Sequence, residues 1–402
     1  MNALTLSWRN IWRNRKRAII TMASVFFAAF FCILMSSFQE GSWERMIDNT
    51  LRTQTGHIQI HGKNYWEDKI IDNFMFMDKA TLSQLEKIDN VVNVSPRIET
   101  FAMASFGQIS KGIAIIGVSP EKEAQKSNLP SRIVQGNYLT ENDNGILIGE
   151  GLSKYLKANI GDTLALIGQG YQGSSAAQLF TVRGILKLMT PEMDFGMVYI
   201  TLPSAQQFID MPNGYSGILI SIKDNNRLDE TMKAISHQLS VENCIIYSWH
   251  FTMGRMLQSA ESDKAFGLIL MYVLYIIVGF GILGTVIMMT NERKREFSMM
   301  ISLGMSRIRL AAVISIELLL MSLVGVLLAL VVTLPTTYWF SIYPIKMTGE
   351  MAETFLQYGM EPILPMSVSP TIFTSQMIVI LVISLLAIIY PTNKILKLKI
   401  SK

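Results

Sequence analysis

Apolar residues along this chain gather in four long blocks, and the sequence between the blocks has a shorter period. Ala18–Phe38, Ala265–Met289, Leu310–Leu334 and Thr371–Tyr390 each hold 20 to 25 residues with almost no charge. At a rise of about 1.5 Å per residue, each covers a hydrocarbon core of about 30 Å. Four such runs without polar faces would need a very large soluble core, so the pattern predicts four transmembrane helices. Between the first and second runs, residues 39–264 change character. Alternating or short apolar stretches at 57–61, 112–118, 145–150, 162–168, 180–186, 197–202 and 217–222 read as strands. Helical spacing falls between them at 80–88, 149–158, 202–211 and 227–240. The expected fold is therefore a four-helix membrane protein with a large extracytoplasmic α+β domain, in two lobes, between helices 1 and 2. No proline interrupts the chain from Thr252 to the second run, so that helix is expected to extend outward.

The remaining segments are short. Residues 1–17 place Leu4, Trp8, Ile11 and Trp12 on one helical face and Arg9, Arg13 and Lys16 on another, a pattern for a helix lying in the membrane interface. Residues 290–309 join the second and third runs, 335–370 join the third and fourth, and 391–402 form a tail. The first run is read as an uncleaved anchor, because it is long for a signal peptide and "SSFQEGSW" offers no small-x-small cleavage site.

Charge orients the spans. Half of the 402 residues are hydrophobic and only 16% are charged, against roughly a quarter in a soluble domain. Fourteen of the 35 basic residues stand in three short segments: before the first run, in 291–310 and after the fourth run. The loop between the third and fourth runs has Lys346 against Glu350, Glu353 and Glu361. The positive-inside rule places both termini and the 291–310 loop in the cytoplasm and residues 39–264 outside. Anchoring beside anionic lipid accounts for the basic clusters better than nucleic-acid binding does.

Candidate catalytic chemistry is sparse. His57 and His61 on one strand would stand about 13 Å apart, too far to share a metal ion, and read as solvent-exposed strand histidines. Cys32 lies in a span and Cys244 outside it, so the two cannot pair within one chain. No phosphate-binding G-x-x-x-x-G-K-[ST] loop occurs, so any ATP hydrolysis belongs to another chain. Glu317, about a third of the way into the third run, is either a functional intramembrane carboxylate or one packed and hydrogen-bonded against a neighbouring helix; no base is visible in the other spans.

One segment has a more specific pattern. In "NERKREFSMMISLGMSRIRL", residues 291–310, five basic and two acidic residues precede or flank an apolar stripe of Phe297, Met300, Ile301, Met305 and Ile308. Glu296 stands at the N-terminal end, where the helix dipole favours an acid, and Gly304 can bend or end the turn. The stripe suits either an interfacial connector or a knob that docks into a cytoplasmic partner.

With the four-run order, this segment resembles the FtsX/MacB-type permeases of ABC transporters, in particular the lipoprotein-releasing (Lol-type) permeases. "LSWRNIWRNRKRA" resembles their N-terminal elbow, and "TGHIQIHGKNYWED" the start of their periplasmic domain. "GILIGEGLSKYLKANIGDTLALIG" resembles their recurring glycine–glutamate helix and the strand after it, and "YPTNKILKLKI" their basic exit. The resemblance implies a MacB-like periplasmic core, an inner-membrane location and no enzymatic activity in this chain. It also implies a cytoplasmic ABC ATPase that binds ATP and magnesium, and a second permease, identical or paralogous. Glu296, Phe297, Met300, Leu303 and Gly304 would form the ATPase-coupling helix. Phe30, Phe31, Leu34 and Met35, facing Leu268, Met271, Tyr272 and Tyr275, would line a cavity for acyl chains. Gln169, Gly170, Tyr171 and Gln172 occupy the place of a hook that meets a periplasmic carrier, although the loop lacks a proline-rich tip. The implied function is mechanotransmission, with lipoproteins extracted from the inner membrane for transfer to the outer membrane. The alternatives are an FtsX-like permease controlling a periplasmic cell-wall hydrolase, and MacB-like export of peptides or small molecules.

Overall fold

A computed structural model describes residues 3–13, 15–188, 190–239, 244–357 and 362–397. Glu361 and the tail lysines Lys399 and Lys402 lie outside the described residues. The chain divides into two compact units: residues 1–45, 259–346 and 363–402 form the first, and residues 46–258 and 347–362 the second.

The first unit is helical. An interfacial helix, Ala3–Arg13, precedes the first span helix, Arg15–Thr50. The second span helix is Gly254–Glu292, the third Arg307–Ile342 and the fourth Pro370–Leu396. A short helix, Lys294–Ser302, joins the second and third. The first and second helices run well beyond their apolar runs, because the polar sequence that continues them contains no proline to end them. Val25, Ala29 and Cys32 of the first span, Ile282 and Val286 of the second, Ile314, Leu318 and Val326 of the third and Ile380 of the fourth meet in one apolar core. Small residues let the backbones approach. A Cβ on Gly325 would come within 2.8 Å of the Met22 carbonyl oxygen, so glycine sets the spacing of the first and third spans. Only 17% of the most apolar window of the second span is buried, against 39% in each of the others, so this helix presents most of its surface to lipid or to another chain.

The second unit is built on a sheet of ten strands. In chain order these are β1 (Ile58–Gly62), β2 (Val91–Phe106), β3 (Ile109–Val118), β4 (Ile133–Gly136), β5 (Gly145–Gly149), β6 (Thr163–Gln169), β7 (Ser175–Leu186), β8 (Met197–Thr201), β9 (Gly217–Ile222) and β10 (Cys244–Ser248). The order is β10-β1-β9-β2-β3-β8-β5-β7-β4, and β6 pairs with both β2 and β7. That double pairing closes β2, β3, β8, β5, β7 and β6 into a six-stranded ring, which removes most of the exposed strand edges. Ile98, Ile115, Ile146, Ile148, Leu166, Phe180 and Val198 fill the ring. A second core, with Ile58, Ile60, Ile218, Ile220 and Leu85, packs where β10, β1 and β9 extend the sheet beyond β2. The helices at Glu150–Leu156, Leu202–Phe208 and Leu228–Gln238 fall within the stretches whose spacing predicts them, and that at Lys79–Leu85 begins one residue before its stretch.

The histidine reading needs correction. His61 is buried, its ring stacked 5.0 Å from Tyr65, with Nδ1 2.7 Å from the Ser216 carbonyl oxygen and Nε2 2.8 Å from Gln59 Oε1. The face that alternation marks as polar is covered here by later segments of the chain, so polar residues on it are buried in hydrogen bonds.

Candidate functional site

The helix at Lys294–Ser302 is fixed from its first turn. Its N-cap, Arg293, is buried, with a side chain 1% exposed. Arg293 Nη1 donates to Glu317 Oε1 of the third span at 2.6 Å, and Nε donates to Glu296 Oε2 at 3.2 Å. Asn10 of the interfacial helix donates from Nδ2 to Glu317 Oε2 at 3.4 Å, and Ser7 Oγ donates to the Val313 carbonyl at 2.9 Å. Arg13 lies 3.8 Å from Glu296, and Arg17 2.9 Å from Glu292. The fourth span joins through Arg307, which donates from Nη1 to the Leu396 carbonyl at 3.4 Å. Glu317 is thus a packed carboxylate whose base comes from the connecting segment, not from another span. Pattern reading along the spans could not find Arg293, because it looks like one more cation in a basic loop.

This anchoring decides which side of the short helix is free. Phe297 is 1% exposed, its ring centroid 5.3 Å below the Arg293 guanidinium, and Met300, Ile301 and Met305 pack against the same core. The apolar stripe seen in the sequence is therefore, from Phe297 to Met305, the face turned to the protein's own bundle, while Ile308 departs from it. Of the candidate coupling residues, Phe297 and Met300 face inward, and Glu296 is held by Arg293 and Arg13. Leu303 is 82% exposed, and Met299 and Ile308 also face outward. Gly304 has φ +94° with open space about it, so it ends the helix in the left-handed conformation that glycine adopts without strain. Met299, Leu303 and Ile308 are thus apolar side chains open on the outward side, among the exposed Lys294, Arg295 and Arg307.

Residues 18–238 match the MacB-like periplasmic core domain, and residues 268–400 match the FtsX-like permease C-terminal domain. This chain is an FtsX/MacB-type ABC transporter permease. It is 21% identical over 316 residues to the lipoprotein-releasing system transmembrane protein LolE of Haemophilus influenzae, covering 74% of this chain and 73% of that one. It is 23% identical over 328 residues to LolC of Buchnera aphidicola subsp. Schizaphis graminum, covering 79% and 78%. Among solved structures, the periplasmic region of MacB from Actinobacillus actinomycetemcomitans aligns with TM-score 0.38 and 15% identity, over 53% of this chain and 98% of that one. The extracellular domain of YknZ from Gram-positive bacteria aligns with TM-score 0.37 and 14% identity, over 48% and 100%. The permease is an inner-membrane protein with a periplasmic domain, and members of its family work with an ABC ATPase.

The permease brings only some of the acyl-cavity candidates together. Leu268, Met271 and Tyr275 line a groove with Ser36, Gln39 and Gln376, and the Glu40–Lys264 ion pair, 3.7 Å, stands at its rim. Tyr275 and Gln376 share a hydrogen bond of 2.7 Å. Phe31, Met35, Leu268 and Tyr272 are exposed, and Leu34 is half-buried. Met271 is 4% exposed and also belongs to the bundle core, so it offers the groove little open surface.

The periplasmic loop of the permease does not protrude. Gly170 follows β6 directly, and Tyr171 donates from its backbone nitrogen to the Ile209 carbonyl at 2.7 Å while its ring meets Phe76. Gln172, at φ +52°, donates from its backbone nitrogen to Asp72 Oδ1 at 2.9 Å. Gln169 ends β6 opposite Ser175. What stands exposed instead is the outer face of β2, β6 and β7. Met103 pairs with Ile167, and Ile167 with Ala177, while Phe101 and Leu179 flank them, all exposed. The same domain holds a buried ion pair, in which Arg97 Nη2 donates to both Glu123 oxygens at 3.1 and 3.0 Å. Burial alone would raise the Glu123 carboxyl, but the charges of Arg97 and Lys126 outweigh it and hold the carboxyl below its ordinary value.

Proposed function

We propose that this permease transmits ATP-driven movement from a cytoplasmic ABC ATPase to its periplasmic domain, and so extracts lipoproteins from the inner membrane for transfer to the outer membrane. The mounting of the Lys294–Ser302 helix carries this reading. A helix held by a buried ion pair to the third span, and through Asn10 to the interfacial helix, passes a push to those elements without slack. A loose interfacial connector would need no such anchoring. In this reading the ATPase grips Leu303, Met299 and Ile308, both termini are cytoplasmic, and ATP and magnesium bind the ATPase. A second copy or paralogue completes the transporter. The lipoprotein substrate is supported by the likeness to the lipoprotein-releasing proteins LolE and LolC and by the groove at Leu268 and Tyr275. A periplasmic carrier, in this reading, meets the exposed face of Phe101, Met103, Ile167 and Leu179 rather than the folded-down loop.

Copurification tests the assembly. Leu303→Glu with Met299→Glu should release the ATPase while permease abundance stays normal, because both side chains already face water or partner. Retention of the ATPase and of full transport would overturn the coupling role. For the substrate, a photo-crosslinker at the exposed Leu268 should capture lipoprotein. Capture of a cell-wall hydrolase with the ATPase, and no lipoprotein, would favour the signalling alternative.

A further inference from the structure

A second groove, of about 340 Å³, lies within the membrane unit and is separate from the proposed substrate groove. Its volume falls in the ~300–1,000 Å³ range of ordinary ligand sites. Ile11, Ala18, Met22, Leu320, Val324 and Leu328 form its wall, contributed by the interfacial helix, the first span and the third span. Trp8, Trp12 and Arg15 also line it. The lining is almost wholly apolar, so in a bilayer the groove takes hydrocarbon rather than water.

Charge at one end makes the occupant specific. Of the basic residues around the junction of the interfacial helix and first span, Arg13 pairs with Glu296 and Arg17 with Glu292. Arg9, Arg15 and Lys16 are exposed and have no acidic partner among the described residues, and of the three Arg15 lines the groove. Arg15 holds itself at the groove by donating from Nε to the Trp12 carbonyl at 3.3 Å, and its guanidinium lies 5.8 Å from the Trp12 ring centroid. Trp8 and Trp12 stack edge to face at 6.0 Å, the arrangement and residue type that mark headgroup depth. An apolar slot lined at one end by a cation without an acidic partner and by two indoles suits a phospholipid with an anionic headgroup.

We infer that this groove is a binding site for one anionic phospholipid, with an acyl chain along Ile11, Met22 and Leu328 and the headgroup at Arg15. Occupancy bears on coupling. Ile11 lines the groove while Asn10, the preceding residue, bonds Glu317. A lipid wedged against Ile11 and Leu320 therefore braces the interfacial helix and third span at the ends of the network that mounts the coupling helix. The site stands on its own observations and does not depend on which cargo the permease moves.

The test uses the full-length permease in nanodiscs of phosphatidylethanolamine containing phosphatidylglycerol, with retained lipid counted by native mass spectrometry after gentle extraction. Wild type should retain one phosphatidylglycerol per chain in preference to phosphatidylethanolamine. Each basic residue at an anionic surface is worth about fivefold. Arg15→Gln should therefore lower that preference about fivefold. Leu328→Trp, which fills the slot from an exposed position, should abolish retention with the cations intact. Val324→Phe serves as the second filling variant should the first not accumulate. Equal retention of the two lipids by wild type would overturn the site, as would unchanged retention in a folded filling variant.

Discussion

Arg293 and Glu317 are the residues that mount the Lys294–Ser302 helix. Two ions buried together lose hydration, and their attraction repays that loss only while both are present. Glu317→Ala or Arg293→Ala should each destabilise the permease by about 3–5 kcal/mol, since each leaves an unpaired buried charge. Arg293→Met with Glu317→Leu should recover most of that stability and yet leave ATP hydrolysis poorly coupled to transport, because the directional contact is gone. Thermal unfolding in detergent, read beside transport per ATP hydrolysed, checks both halves; recovery of normal coupling by the apolar pair would show that packing alone suffices. Phe297→Ala belongs to the same scale. It empties a core position and should cost about 3–5 kcal/mol, whereas Leu303→Glu leaves unfolding unchanged. In the periplasmic domain, Arg97 holds Glu123 below its ordinary value, so the pair contributes stability above the unfolded carboxyl's pH of 4.5 and loses it as pH falls through the lower folded value. Acid unfolding of Glu123→Gln should show a shallower pH dependence than wild type over that window.

Elements in this protein are positioned by what lies at their ends and crossings. The first and third spans cross where Gly325 meets the Met22 backbone. Gly325→Leu should force them apart and lower abundance in the membrane, while the same change at Gly284, where an added Cβ meets nothing, should be tolerated. Immunoblots of membrane fractions check the pair, and equal abundance would mean that the crossing can relax. The strand β2 shows the other kind of control. Its residues "VVNVSPRIETFAMASF" contain a proline, which argues against a central strand, yet β2 is central and pairs with three others. Pro96 is accommodated because the β3 ladder begins only at Arg97.

For the whole molecule, the consequence of the basic clusters is topology. Reporters fused after Lys402 or within 298–306 should be active in the cytoplasm, and one inserted near Gly170 should report the periplasm. Protease and enzyme reporters in intact cells check this, and an inverted result would remove the coupling helix from the reach of any cytoplasmic ATPase. The exposed face of the strand ring bears on assembly at the same scale. Phe101→Glu with Leu179→Glu should leave the domain folded, because both side chains already face outward, and should lower transfer to a periplasmic acceptor while ATPase copurification persists.

By itself, the sequence determined the four spans, the domain inserted between the first two and most of its strands. These follow from hydropathy and period, which are local: a run of 20 apolar residues has one low-energy place, and alternation has one pleat. The family was also legible, because residues 291–310 keep the family's pattern in order along the chain. Tertiary structure alone decided which side of each amphipathic element faces inward. The stripe from Phe297 to Met305 is apolar whether it docks into an ATPase or into its own bundle; Arg293, fixed by a carboxylate 24 positions away, selects the bundle. Likewise His61 lies on a face whose alternation reads as exposed, until Ser216 and Tyr65 cover it. Periodicity records that a face is apolar or polar, whereas burial depends on which distant segment arrives to cover it.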